Sequence, residues 1–241
     1  SPAKAGPTAS AKTAAAVQHD LATIPAATLD AVGKGSTTPD AIQTIKTAAT
    51  PLTSGGKPEI VYVGAEYCPF CAAERWAMVT ALSRFGTFSG LGLIHSSATD
   101  TDPNTPTLTF LHASYTSKYV VFTTTEAETV LEKPLQKMTT LDTQLMAKYD
   151  VPPYVPATDD GAYPFVDFGN KYVIDGASYE ATVLAGHSWT QVAAALRDPT
   201  SAIAQGADGA ANLITAAICK LTGNQPASAC TPTVKALEGS I

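Results

Sequence analysis

Glu59-Ile60-Val61-Tyr62-Val63-Gly64-Ala65-Glu66-Tyr67-Cys68-Pro69-Phe70-Cys71 is the stretch from which the rest of the chain is read. Residues 59–63 are apolar, β-branched and aromatic, the pattern of a buried strand. Gly64-Ala65-Glu66-Tyr67 supplies a turn. Pro69 then stands at a first helical position, and an apolar-rich segment free of further Gly and Pro runs to Phe85. A Cys-x-x-Cys pair at a strand-to-helix turn suits redox chemistry. Its sulfurs are close enough to bridge, and the first lies at a helix N-terminus, where the dipole favours a thiolate. A structural disulfide or half of a zinc site are the plainer readings; the position at the turn favours the redox site.

With 241 residues, 45% of them hydrophobic and 15% charged, the chain can bury a substantial core and is not of disordered composition. One domain with additions is expected. The net charge is −6, and the 15 Lys and Arg are spread without a basic run, which disfavours nucleic acid and anionic membrane surfaces as partners. No apolar run approaches the ~20 residues of a membrane span. The opening SPAKAGPTASAKTAAA, residues 1–16, reads as a linker of the kind that tethers an exported domain to an anchor.

The four cysteines fall into two local pairs, Cys68/Cys71 and Cys219/Cys230. Gly223, Asn224 and Pro226 suit a hairpin-like return between the second two. A disulfide closing so short a loop contributes about 3 kcal/mol in the chain-entropy model and persists in an oxidising compartment. An extracytoplasmic location is the expectation, either secreted or tethered to the outer face of the cytoplasmic membrane.

Outward from the central stretch, two short helices are expected between Val17 and Ala49, one opening at Thr38-Pro39-Asp40. The helix after Cys68 carries apolar residues around most of its circumference, so it should be buried on more than one side. Leu91–His95 reads as the next strand, parallel to 59–63. Leu108–Leu111 and Tyr119–Phe122 read as further strands, and 126–149 as helix broken at Pro134. Tyr163-Pro164-Phe165-Val166-Asp167-Phe168, Gly169-Asn170 and Lys171-Tyr172-Val173-Ile174 form a hairpin around a two-residue turn. Helices follow at 189–196 and about 201–220, the second weakened by Gly206 and Gly209 at about 1 kcal/mol each.

This order resembles the thioredoxin-like superfamily, more specifically the DsbA-like exported thiol–disulfide oxidoreductases with a helical insertion. AEYCPFCAAERW, YTSKYVVF and YPFVDFGNKYV are also similar to a little-characterised prokaryotic family of exported thioredoxin-like proteins. The resemblance implies an α/β, thioredoxin-like domain over 17–241, with a core of about 51–197. A helical insertion at about 96–160 and a C-terminal extension, 198–241, would complete it. It implies Cys68 as attacking thiolate, Cys71 as resolving thiol, Pro69 and Phe70 as tuning residues, and Tyr163-Pro164 lining a substrate groove with a cis bond. Pro106 is the rival for that bond. No bound cofactor is implied. Partners would be protein thiols and disulfides, together with a redox protein embedded in the membrane.

Where thioredoxins carry an acid, six positions before the first cysteine, this chain has Tyr62. The nearest acids are Glu66, just before the motif and part of the active-site environment, and Glu74, on the helix. Either could shuttle the proton of Cys71, but a surface role is the expectation, and nearby negative charge would oppose thiolate formation at Cys68. His19, His95, His112 and His187 are scattered singly, so no metal site is expected. Gly33-Lys34-Gly35-Ser36 lacks the earlier glycine and preceding strand of a phosphate loop. Ser188 reads as a helix cap rather than a nucleophile. The competing functional classes are a binding module with a permanently oxidised CPFC pair and a metal-handling protein.

Overall fold

A computed structural model describes residues 9–241. The N-terminal helices are α1 (Ala11–Ala22) and α2 (Ala26–Val32), followed by strands β1 (Gln43–Thr44), β2 (Thr53–Ser54) and β3 (Lys57–Gly64). Helix α3 (Pro69–Leu82) leads to β4 (Gly86–Ser89), β5 (Gly92–His95), β6 (Pro106–Thr109), β7 (Ser114–Ser117) and β8 (Val121–Glu126). Then come α4 (Thr140–Tyr149), β9 (Phe165–Phe168), β10 (Tyr172–Asp175), α5 (Trp189–Ala195), α6 (Ala202–Leu221) and α7 (Pro232–Leu237). The architecture is α/β.

Strand β3 is the axis of a six-stranded mixed sheet. Strand β8 runs parallel along one edge of it, from Glu59↔Val121 to Gly64↔Glu126. Strand β9 runs antiparallel along the other, with Tyr62 opposite Val166. Strands β10 and β1 extend that side, and β2 folds back on the start of β3. Side chains alternate across the pleat, and both faces are covered. Ile60, Tyr62, Val166, Phe168 and Ile174 join the larger core with α3 and α6. Val61, Val63, Phe165 and Val173 join a smaller one with Leu145, Met146 and Tyr149 of α4. This double coverage is why residues 59–63 are continuously apolar.

Helix α3 is buried along nearly its whole length, as its all-round apolar sequence requires. Helix α6 packs against it, and its two glycines have a purpose beyond propensity. A Cβ at Gly206 would meet the Tyr179 ring, and one at Gly209 would meet the Lys34 carbonyl. Both glycines permit close approach. The hairpin turn is as expected: Gly169 and Asn170 have φ of 62° and 58°. Ser188 caps α5 through a reciprocal capping box with Gln191.

Several expectations are overturned. Residues 91–95 do not pair with β3: β5 is antiparallel to β6, His95 opposite Pro106, in a separate hairpin. The turn between them closes locally, Ser96 N–H donating to Thr105 O and Asn104 N–H to Ser97 O. The parallel neighbour of β3 is β8, reached across two small two-stranded sheets. The insertion is therefore largely strands and loop, and helix is confined within it to α4 and a single 3₁₀ turn at Ala157–Asp159. Residues 127–139 loop back instead of coiling, with Gln136 N–H bonded to Glu126 O and Leu135 N–H to Ala127 O. Thr38-Pro39-Asp40 opens no helix; Asp40 has φ 54°, and Ile42 and Ile45 are buried flanking β1. The linker reading of 1–16 fails from Ala11, where α1 begins; its first eight residues lie outside the described part.

Candidate active site

The CPFC motif sits where β3 ends and α3 begins. Cys68 is the N-cap of α3, with extended backbone, and Pro69 takes the first helical position, where its missing N–H costs nothing. Cys68 Sγ accepts the Cys71 main-chain N–H at 3.4 Å, the capping bond a serine would otherwise make. It also lies 3.8 Å from the Tyr163 carbonyl oxygen. The Tyr163–Pro164 bond is cis; the bond preceding Pro106 is not among the cis bonds. Pro106 instead supplies a carbonyl to the Trp76 indole N–H at 2.9 Å.

The two sulfurs differ sharply. Cys68 is 6% exposed and Cys71 fully buried, and they are not bridged to each other. Hydrogen bonding from the Cys71 thiol holds the Cys68 thiol below its ordinary range against the cost of burial, helped by the Cys71 N–H and the Arg75 charge. Burial pushes Cys71 well above its ordinary range, and the charge on Cys68 adds to the effect. One thiol is poised to ionise first and, though buried, keeps a little of its surface exposed. The other is held protonated behind it.

Arg75 was not singled out from sequence. It follows Cys71 by one helical turn, on the same face of α3. Its Nε and Nη2 donate to Glu126 Oε1 and Oε2, each at 2.8 Å, and Nη2 also donates to Ala65 O at 2.7 Å. Both partners are fully buried. Glu126 ends β8, so the parallel pairing with β3 delivers a carboxylate beneath the CPFC turn. The spacing from Cys71 could have flagged the arginine; nothing local flags its partner.

Neither acid near the motif is a surface group. Glu66 is buried and accepts the Thr109 hydroxyl at 2.7 Å. Glu74 is fully buried and accepts the Ser178 N–H at 2.8 Å and hydroxyl at 3.0 Å. Burial pushes Glu74 up to about 7. Phe70, the second intervening residue of the motif, is 43% exposed. Tyr67 and Tyr163 pack against the cluster of Ala65, Cys68 and Cys71.

Cys219 and Cys230 form a disulfide joining the end of α6 to the segment before α7, in a different part of the core from the CPFC turn. Among the described residues, no group of three or more His, Cys, Asp and Glu is placed to hold a metal ion. No described helix is long and apolar enough to cross a membrane.

Compared with known proteins, residues 43–220 match the family model described as Domain of unknown function (DUF929). That span runs from β1 to the last turn of α6 and includes the CPFC turn, the cis proline and the Arg75–Glu126 pair. No curated protein and no solved structure matches the chain.

Proposed function

We propose that this chain, which belongs to the family Domain of unknown function (DUF929), is a thioredoxin-like thiol–disulfide oxidoreductase that acts on proteins outside the cytoplasm. The observation that carries the reading is the asymmetry of the two sulfurs at the start of α3. Both are buried, but Cys68 is slightly exposed, hydrogen-bonded and lowered, whereas Cys71 is fully enclosed and raised. A structural disulfide or a zinc knuckle requires no such division. The unit β3–α3–β8, followed by a cis proline entering β9, then β10 and α5, supports the thioredoxin-like assignment. The Cys219–Cys230 bridge supports an oxidising compartment.

Exchange with a substrate disulfide proceeds in two balanced steps. The Cys68 thiolate attacks one substrate sulfur; the substrate S–S bond breaks, a mixed disulfide forms, and one substrate thiolate leaves. Cys71 then loses its proton and attacks Cys68 Sγ. This frees the second substrate thiolate and leaves Cys68 and Cys71 bridged, so the substrate has gained the two electrons the motif lost. The reverse sequence oxidises a dithiol substrate. A second redox protein, embedded in the membrane, would reset the pair.

Insulin reduction and refolding of reduced ribonuclease test the reading. Wild type should catalyse at least one of them, and a Cys68→Ser variant should catalyse neither. Equal behaviour of the two proteins in both assays would leave the CPFC pair with a recognition role alone.

A further inference from the structure

Beside the CPFC turn lies a cavity of about 450 Å³, with Phe70, Tyr163 and Tyr179 among its walls. Its ionisable lining, apart from those two tyrosines, is entirely acidic: Asp150, Asp159, Asp175 and Glu180, without a Lys, Arg or His. Asp150 is the C-cap of α4 and Asp175 the last residue of β10, so the tertiary fold brings together carboxyls from distant parts of the chain. Asp150 is fully buried, and neither the Asp150 nor the Asp175 carboxyl finds a hydrogen-bond partner outside the pair they form with each other.

Such groups cost free energy unless something answers them. Burial, the neighbouring Asp175 charge and the hydrogen bond shared with Asp175 push Asp150 up to about 8. Burial pushes Asp175 up to about 7. A carboxyl pair answered only by itself, in the lining of an aromatic-walled cavity, can accept a cation through charge-assisted hydrogen bonds and ring faces together. The absence, among the described residues, of three converging metal ligands favours a long basic side chain over a bare divalent ion.

The cavity is joined to the reactive sulfur at two points. Phe70 belongs to the motif itself, and the Tyr163 carbonyl lies 3.8 Å from Cys68 Sγ. The end of β10 is tied to the same place, Gly176 N–H donating to Pro164 O at 2.9 Å. A polypeptide whose sulfur meets Cys68 therefore carries its neighbouring side chains past this opening.

We propose that the cavity receives a lysine or arginine side chain of the polypeptide reacting at Cys68, the Asp150–Asp175 pair releasing its proton to solvent to become the counter-charge and Phe70, Tyr163 and Tyr179 forming the walls. The proposal names the substrate class of the oxidoreductase reading and rests on it. Two peptides test it, identical except for arginine or citrulline beside a single mixed-disulfide cysteine. Wild type should exchange with the arginine peptide about tenfold faster, the scale of a charge-assisted contact. Asp150→Asn and Asp175→Asn together should bring that ratio close to one. Phe70→Ala, on an exposed side chain compatible with folding, should reduce it. Glu132→Gln, an exposed acid outside the cavity, should not change it.

Binding of the same peptides with serine in place of cysteine reads the cavity without redox chemistry. Preference for arginine in binding, with no exchange of either peptide, supports the cavity and overturns the oxidoreductase reading. Equal binding and equal exchange of the two peptides overturn the cavity proposal and leave the oxidoreductase standing. Saturable calcium binding that Asp150→Asn abolishes, without arginine preference, also overturns the proposal, in favour of a metal site.

Discussion

Arg75 and Glu126 form a bidentate ion pair, fully buried, one helical turn beyond Cys71 and at the last residue of the strand parallel to β3. The pair ties the CPFC helix to the sheet and places a positive charge near both sulfurs. Desolvating two charges is expensive, and removing one partner leaves the other uncompensated. Arg75→Met should therefore cost roughly 3–5 kcal/mol in urea unfolding. Arg75→Met with Glu126→Leu should recover a large part of that loss. Equal losses in the single and double variants would contradict this account. Where the single variant stays folded, the Cys68 thiol should titrate higher than in wild type.

The unequal sulfurs give a second expectation. In a Cys71→Ser variant, the alkylation rate of Cys68 against pH should follow a titration below the ordinary thiol range, because the serine hydroxyl can donate the hydrogen bond the Cys71 thiol gave, while the main-chain N–H and Arg75 remain. In reduced wild type, Cys71 should alkylate at least about tenfold more slowly than Cys68 until the protein is unfolded. Equal rates in the native protein would contradict the assigned division of roles.

Stability should fall as pH rises from mildly acidic to mildly alkaline. Burial pushes Asp150 and Asp208 up to about 8, and Glu74, Asp167 and Asp175 up to about 7, from ordinary values of 3.8 and 4.5. The folded chain thus holds protons that the unfolded chain has already released. Their stabilising effect is complete below the ordinary values and disappears as pH climbs through 7 to 8. Melting temperature should be higher near about pH 5 than near about pH 8.5. Asp208→Asn should flatten the profile by about 1–2 kcal/mol at the alkaline end, because neither of its oxygens has a partner to lose. A melting temperature independent of pH would contradict the argument.

Two glycines set helix propensity against packing. Alanine at Gly206 or Gly209 would gain about 1 kcal/mol in an isolated helix. In α6 the added methyl meets the Tyr179 ring or the Lys34 carbonyl, and overpacking costs about 1–3 kcal/mol. Packing should win at Gly209, where rigid main chain is the obstacle. Urea unfolding of Gly209→Ala should show net destabilisation.

What the sequence revealed was what neighbouring residues decide. The buried strand at 59–63, the proline-led start of α3, the Gly169-Asn170 turn and the Ser188 cap each have a local cause, and each stands in the structure. Errors came where a choice of partner decides. Leu91–His95 has the composition of a strand, but its antiparallel pairing depends on Thr105–Thr109 returning beside it. Residues 127–139 have helical spacing, yet Glu128 O is committed to Glu66 N–H and the Glu126 main chain to Gln136. In the site, the cysteine pair at its strand-to-helix turn was legible, and the cis bond before Pro164 followed only from the family resemblance. Glu126, Asp150 and Asp175 were not legible, because the tertiary fold alone gives each its neighbours.

The cover that α6 places over α3 has a consequence in time. A ribosome releases Cys68 and Cys71 long before residues 202–221, so the CPFC pair leaves the exit tunnel on a helix whose other flank is still bare. Native enclosure of that helix must wait for the C-terminal part of the chain to be made and docked. The nascent protein's own late segment is thus what closes the cover over the CPFC helix.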